Sequence, residues 1–440
     1  MTTTLEPETR GAPSGAPDEV DDSPSEAAGT ARRRGPVYRW LAKNRRPVFV
    51  VHKWLSLFLL LWVVMECVTG SVLVFRPEIN RFLARSDFQA TEGDVGTQAA
   101  ADAALAAHDR SILNDVAPPG NEESGGMYLV GIYDIDGEYL QVVVDPGTGD
   151  VTNADYRSPW VVQELADLHF NLNSSSVFGL EGIEAQAWLG VLFLVVMLSG
   201  FYLWYWPRMR AWAKLLKIRR GLGRYRWHLD LHNAVGVITI VPLLLITITG
   251  INFAFPNQVS AVYDVVTFGA YDNDATEQVV TSEPTGTATI GVEQAQEIVE
   301  AIDPSIDVQF VSSTGGSPVA SYEVGAYVDA AAIGMLGGQR YVEFHVDQYT
   351  GQVLEIHDPA TDSAVDRGLD EWAGPIHFGT FGGIVIQLLW VVVGLAVPVL
   401  AVTGVVMWLN RRNVRRRRGA LTSDAASSAP EAVSSEGASS

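Results

Sequence analysis

The stretch VHKWLSLFLLLWVVMECVTGSVLVF, residues 51–75, decides the fold. It exceeds the roughly 20 mostly apolar residues that a helix needs to cross a hydrocarbon core, and Glu66 is the one carboxylate deep inside it. The stretch LHNAVGVITIVPLLLITITGINFAF, residues 231–255, lies over it without a gap. His232 falls on His52, Thr249 and Gly250 on Thr69 and Gly70, and Phe255 on Phe75. Such a self-match reads as an internal repeat. Two further apolar stretches, about 185–206 and 384–409, share an ending: LSGFYLW from Leu198 and VTGVVMW from Val402. A histidine precedes each, His169 in LHFNL and His377 in IHFGT.

The segments between the apolar runs repeat as well. YLQVVVDPGTGDV from Tyr139 matches YVEFHVDQYTGQV from Tyr341, each a strand, a D-x-x-T-G turn and a returning strand. A short helix is expected over residues 291–302. The fold class is therefore membrane α-helical: a four-helix transmembrane bundle with two small extracytoplasmic α+β domains, internally duplicated. The expected division is a disordered cytoplasmic tail over 1–48, helices over 49–75, 182–206, 228–255 and 377–410, outside domains over 76–181 and 256–376, a basic cytoplasmic loop over 207–227 and a cytoplasmic tail over 411–440.

Charge sets the orientation. The chain carries 51 acidic and 30 basic residues, a net charge of -21, yet 22 of the 30 basic residues lie in residues 1–51, 207–227 and 409–440. The two expected outside segments hold 7 basic against 38 acidic residues. Lys and Arg are retained on the cytoplasmic side, so the reading is a multi-pass protein of the cell membrane with both termini inside. The basic loop, which includes Arg208, Arg210, Lys214, Lys217, Arg219 and Arg220, suits anionic lipid. It also suits an acidic electron donor. Nothing in the sequence calls for nucleic acid. The one cysteine, Cys67, rules out an internal disulfide and a CxxCH attachment motif.

With these residues in place the chain resembles the PepSY-associated transmembrane proteins. The strand–D-x-x-T-G–strand element is similar to a PepSY domain. The H-x-x-x-[SG] helix starts, the T-G helix ends, the L-H-F element and the W-L-N-R-R finish at Trp408–Arg412 resemble the rest of that family. The family includes iron-uptake factors of the PiuB type and ferric-siderophore reductases. The resemblance implies haem-based electron transfer across the membrane.

The histidines carry the same expectation independently. Ionisable groups at membrane depth are functional candidates, and four of the eight histidines stand at duplicated positions. A pseudo-twofold axis would pack the first helix on the third. It would face His52 to His232 on the inner side and His169 to His377 on the outer side. Two imidazoles facing each other are axial ligands for a haem iron, so the expected cofactors are two non-covalent b-type haems. His228, one turn before His232, is the other candidate for the inner ligand. A single divalent-metal cluster is the competing use of these side chains. Glu66 reads either as a buried structural acid or as a tuning group for the outer site, with Gln186 and Gln387 as possible neighbours. Asp230, His108, His345 and His357 read as ordinary surface or strand residues.

The outside segments show no nucleophile–base pair and no phosphate loop; Gly125–Gly126 and Gly337–Gly338 are turns. No nucleotide fingerprint occurs inside, so electrons would come from a separate cytoplasmic-side donor. The leading function is a transmembrane reductase of a ferric siderophore or other ferric chelate in iron uptake. The alternative is a membrane-anchored PepSY regulatory module, for example one that restrains a protease, without redox activity. A transporter is a third reading, with Pro242 and Pro398 as the only interruptions of its helices.

Overall fold

The computed structural model describes residues 36–121, 123–205, 218–219, 221–271, 280–329, 339–369 and 372–427. The expected basic residues Arg208, Arg210, Lys214, Lys217 and Arg220, the Gly337–Gly338 turn, most of the N-terminal tail and residues 428–440 lie outside them. The chain divides into a short unit, residues 1–45, and a main unit, residues 46–440.

The first apolar run is two helices, α1 (Pro36–Phe58) and α2 (Leu60–Leu73). They are bent by 64° at Leu59, which is buried. Helix α1 begins at residue 36, so the expected tail boundary at residue 48 is too late. Helix α3 (Arg76–Leu83) leads outward to α4 (Thr97–Ala107). Strands β1 (Ile112–Ala117), β2 (Tyr128–Tyr133), β3 (Tyr139–Val144) and β4 (Val151–Tyr156) follow. Helix α5 (Trp160–Asn171) and a small hairpin, β5 (Ser176–Val177) with β6 (Leu180–Glu181), lead to α6 (Gly182–Tyr205). The second half has the same order: α7 (Arg224–Ala254), α8 (Pro256–Val266), α9 (Val292–Glu300), then β7 (Asp307–Ser312), β8 (Tyr322–Asp329), β9 (Gln339–Val346) and β10 (Val353–His357). Helices α10 (Ala364–Leu369), α11 (Ala373–Phe378) and α12 (Gly383–Ser427) close the chain.

Among the described residues three helices, within α6, α7 and α12, are long and apolar enough to cross a membrane. The count is four if the bent α1–α2 pair is one span. Val63, Met197, Leu243, Val393 and Val397 from α2, α6, α7 and α12 meet in one apolar cluster. The expected packing of the first helix on the third is replaced by alternation. Helix α7 packs mainly on α6 and α12, and α2 packs on α12. Pro242 and Pro398 sit inside continuous helices. Helix α12 runs past the expected boundary at residue 410 to Ser427.

The segments expected as two separate small domains share one eight-stranded antiparallel sheet, in the order β10-β9-β8-β7-β1-β2-β3-β4. The seam is β1 on β7, with Val116 opposite Val311. Alternation explains the burial. Tyr128, Val130 and Ile132 face a core shared with Val324, Phe344 and Val346. Leu129 and Val143 face a smaller cluster on the other side with Met127 and Tyr156. Helices α4 and α9 cover the shared core through Ala100, Ala104, Ala295 and Val299. They also grip each other: Gln98 Oε1 accepts from the Val292 amide at 3.1 Å, and Thr97 donates to Gln296.

Candidate functional site: two histidine pairs

His52, His169, His232 and His377 are each clamped by a hydroxyl residue followed by glycine. His52 Nδ1 lies 3.1 Å from Ser199 Oγ and 3.0 Å from the Val196 carbonyl. His232 Nδ1 lies 2.9 Å from Thr403 Oγ1 and 3.1 Å from the Leu400 carbonyl. His377 Nδ1 lies 3.1 Å from both Thr249 Oγ1 and the Ile246 carbonyl. His169 Nδ1 lies 3.1 Å from Thr69 Oγ1 and 3.2 Å from Glu66 Oε1.

The clamp fixes the tautomer. Each hydroxyl donates its proton back to its own helix; Thr403 Oγ1, for example, lies 2.8 Å from the Val399 carbonyl, and Thr69, Ser199 and Thr249 do likewise. The hydroxyl oxygen therefore accepts from the ring, so Nδ1 carries the hydrogen and Nε2 keeps its lone pair. At three of the four sites the glycine after the hydroxyl residue makes room for the ring. An added Cβ would stand 2.8 Å from His169 Cε1 at Gly70, 2.9 Å from His52 Cε1 at Gly200, 3.0 Å from His377 Cε1 at Gly250 and 3.8 Å from His232 Cε1 at Gly404. These dipeptides were legible in the sequence as shared helix endings. Their role was not, because each serves a histidine on another element.

The ring centroids of His169 and His377 stand 6.4 Å apart. His169 and His377 sit on the short helices α5 and α11 that precede the apolar helices. Helix α12 itself begins at Gly383, and the apolar stretch long enough to span a membrane runs over Thr380–Val414.

His228 has no such clamp. Its Nδ1 is buried without a hydrogen-bond partner, and its ring meets Trp227 edge-on. Asp230 is not a surface residue: it is 4% exposed. Arg219 holds it through a two-pronged contact at 3.0 and 2.9 Å, and Arg226 lies 3.4 Å away. A carboxylate so close to the apolar run is buried because guanidinium groups balance it. His108 and His345 make only local contacts, to the Ala154 carbonyl and to Ser321. Of the two neighbours expected for Glu66, Gln186 hydrogen-bonds it. Gln387 instead lies against Gly379.

The donor set of His169 and His377 fits a metal ion held between two imidazoles. The 6.4 Å ring separation leaves room for one metal ion bonded at about 2 Å to each ring nitrogen. The donor set is two neutral imidazoles per site, each with its far nitrogen anchored, as metal-bound histidines require. Buried polar atoms normally have partners. His228 Nδ1, Asn171 Oδ1 and Asn252 Oδ1, which have none, lie within four residues of a paired histidine or its clamp. Among the described residues no three His, Cys, Asp or Glu side chains gather as a metal cluster.

A family model described as the PepSY-associated TM region matches residues 49–411. No curated protein matches the chain.

Proposed function

The chain belongs to the PepSY-associated transmembrane family, and from that membership and the histidine geometry we propose that this membrane protein is a dihaem oxidoreductase. It takes electrons from a cytoplasmic-side donor and delivers them to an extracytoplasmic ferric chelate, such as a ferric siderophore, in iron uptake. In this reading the chain is an internally duplicated four-helix bundle with both termini inside and the sheet outside. His52 and His232 would hold the inner haem, and His169 and His377 the outer one.

The observation that carries the reading is the fourfold clamp. Four histidines at duplicated positions each have Nδ1 engaged and Nε2 free. When bound, haem supplies one-electron chemistry without proton transfer. The protein's residues do the rest. Ser199, Thr403, Thr69 and Thr249 orient the rings, and the glycines beside them set the ring depth. The shared apolar cluster around Val63, Met197 and Leu243 keeps water out between the two pairs. A cleft of about 400 Å³ beside His377, lined by Asn252, Phe253, Ser260 and Pro375, gives an outside acceptor an approach. Phe253 meets both that cleft and the His377 ring, 5.2 Å away. Reduction lowers the charge of the metal in a hard, anionic oxygen chelate, and the weaker hold releases it.

Purified protein should show reduced b-type absorption bands and yield two acid-extractable haems per chain. His52→Ala and His232→Ala should each empty or convert to high spin the same site, and His169→Ala and His377→Ala the other. Within a pair the two changes should not add. Colourless protein, or His52→Ala and His377→Ala acting on one site, would overturn the proposal.

A further inference from the structure

The cleft beside His377 offers acceptors and no cation. Its walls include Asn252 and Phe253 on α7, Pro256 and Ser260 on α8, and Gly374 and Pro375 on α11, and among the described residues no charged side chain lines it. Asn252 Oδ1 is buried without a hydrogen-bond partner. Ser260 donates its hydrogen to the Pro256 carbonyl at 2.8 Å, so its oxygen too is left to accept. Both atoms call for an N–H or O–H from an occupant, not for an oxygen anion.

The surroundings have the same bias. Helices α8 and α10, which help to wall the cleft, carry Asp264 and Asp366 against one guanidinium, Arg367. Arg367 Nη1 is engaged elsewhere, 3.4 Å from the Pro359 carbonyl and 3.3 Å from the Ala360 carbonyl. Residues 76–181 and 256–376 together hold 38 acidic and 7 basic residues. Three of those seven lie against a carboxylate: Arg81 at 3.7 Å from Glu78, Arg157 at 3.0 Å from Asp155 and Arg340 at 2.7 Å from Asp358. The repeat shows where a cation could have stood. Phe255 falls on Phe75, so Pro256 falls on Arg76, and each residue opens the helix that follows, α8 and α3. The first half has an arginine at this place, and the second has a proline in the cleft wall.

We propose that the cleft takes ferric chelates whose overall charge is zero or positive and turns away those that are net anionic. This names the substrate class of the proposed ferric reductase and rests on that reading. An anion entering the cleft would lose its water to walls that offer it no opposite charge, and a buried charge is costly unless it is paired. The acidic segments add a field that lowers the local concentration of anions and raises that of cations. Selectivity of this kind comes from repelling the wrong ligand as much as from holding the right one. A chelate that neutralises the ferric charge with its own oxygens and shows N–H groups outward meets neither obstacle.

The probes are one linear tris-hydroxamate ferric core whose terminal amine is left free, acetylated or succinylated. The overall charge is then positive, neutral or negative, while the ligands of the iron stay the same. Binding to the purified full chain is read from quenching of tryptophan fluorescence, and reduction from the rate at which pre-reduced protein loses its reduced absorption bands. At low ionic strength the negative chelate should bind about tenfold more weakly than the other two, and the gap should narrow as salt is added. Pro256→Arg, which installs the residue of the matching position, should restore binding of the negative chelate and still bind the neutral one. Gly374→Lys gives the cation a second placement, at a position where an added Cβ meets nothing within 4 Å. Equal binding of the three chelates by the wild type, or a preference for the negative one, overturns the inference; if they are reduced, the reductase reading stands. Unchanged selectivity in both variants, with the neutral chelate still bound, overturns it as well, because the discrimination then lies outside this cleft. A wild type that binds and reduces none of the three removes the inference and the reading together.

Discussion

The placing of a clamped histidine ring depends on the glycine beside its hydroxyl partner. His169 cannot swing away from Gly70, because Nδ1 is pinned to Thr69 and Glu66. A methyl group at Gly70 would stand 2.8 Å from the ring, and one at Gly404 would stand 3.8 Å from His232. The first is a collision and the second an ordinary contact. Gly70→Ala and Gly200→Ala should therefore displace their histidines at a cost of about 1–3 kcal/mol, which corresponds to haem held about 5- to 150-fold less tightly. Gly404→Ala should keep wild-type pigment. The measurement is haem content and spin state per purified chain. Equal loss in all three variants would mean that helix packing, not ring clearance, is the role of these glycines.

At the scale of the element, the D-x-x-T-G turns are the parts whose chemistry is most local. Asp145 accepts from the Thr91 amide at 2.8 Å, the Thr91 hydroxyl at 2.7 Å and the Thr148 hydroxyl at 2.9 Å. Gly149 closes the turn with φ of 74°, a conformation that glycine adopts without strain. Asp347 and Gly351 repeat the arrangement, with Thr350 donating at 2.9 Å. Because the Thr91 amide and hydroxyl donate to its ionised form, the Asp145 carboxyl is held down at about 2, against an ordinary 3.8. A carboxyl with a lowered folded pKa contributes stability above its unfolded value, and that contribution disappears as pH falls through the folded value. Asp145→Asn should therefore destabilise the sheet at neutral pH. It should also flatten the loss of stability between about pH 4 and pH 2. Protease resistance of the sheet across that range checks both. A variant that keeps the wild-type acid limb would place the titration elsewhere.

For the whole molecule, the sheet and the apolar helices divide the chain into a part that needs water and a part that avoids it. Helices α6, α7 and α12 expose Leu198, Ile238, Val241 and Val392. Large exposed apolar faces mark a membrane-contacting surface. On the proposed topology, cysteines introduced at Ser111 and Ser317 should react with an impermeant reagent in intact cells or spheroplasts. Protection of either site would refute that topology. The two sites lie in opposite halves of the sequence, and β1 and β7 place those halves in one sheet, so both should behave alike.

The sequence by itself determined the apolar runs, the register of the repeat, the four histidines and the strand–turn–strand pairs. Each of these is a local or periodic property, fixed by which residue follows which. The match of His52 to His232 is likewise an ungapped alignment of two apolar runs, legible without a fold. What only the tertiary structure decided was every partnership between segments. The bend at Leu59 has no proline or glycine to announce it. The seam between β1 and β7 rests on two short runs that read equally well as edges. Asp230 reads as a surface residue until Arg219 folds over it. Gln186 and Gln387 read equally well as neighbours of Glu66 until the fold puts Gln186 against it, with Trp62 fixing the amide. A side chain's cost of burial depends on what meets it, and the partner in each of these cases stands elsewhere in the chain, where periodicity carries no information.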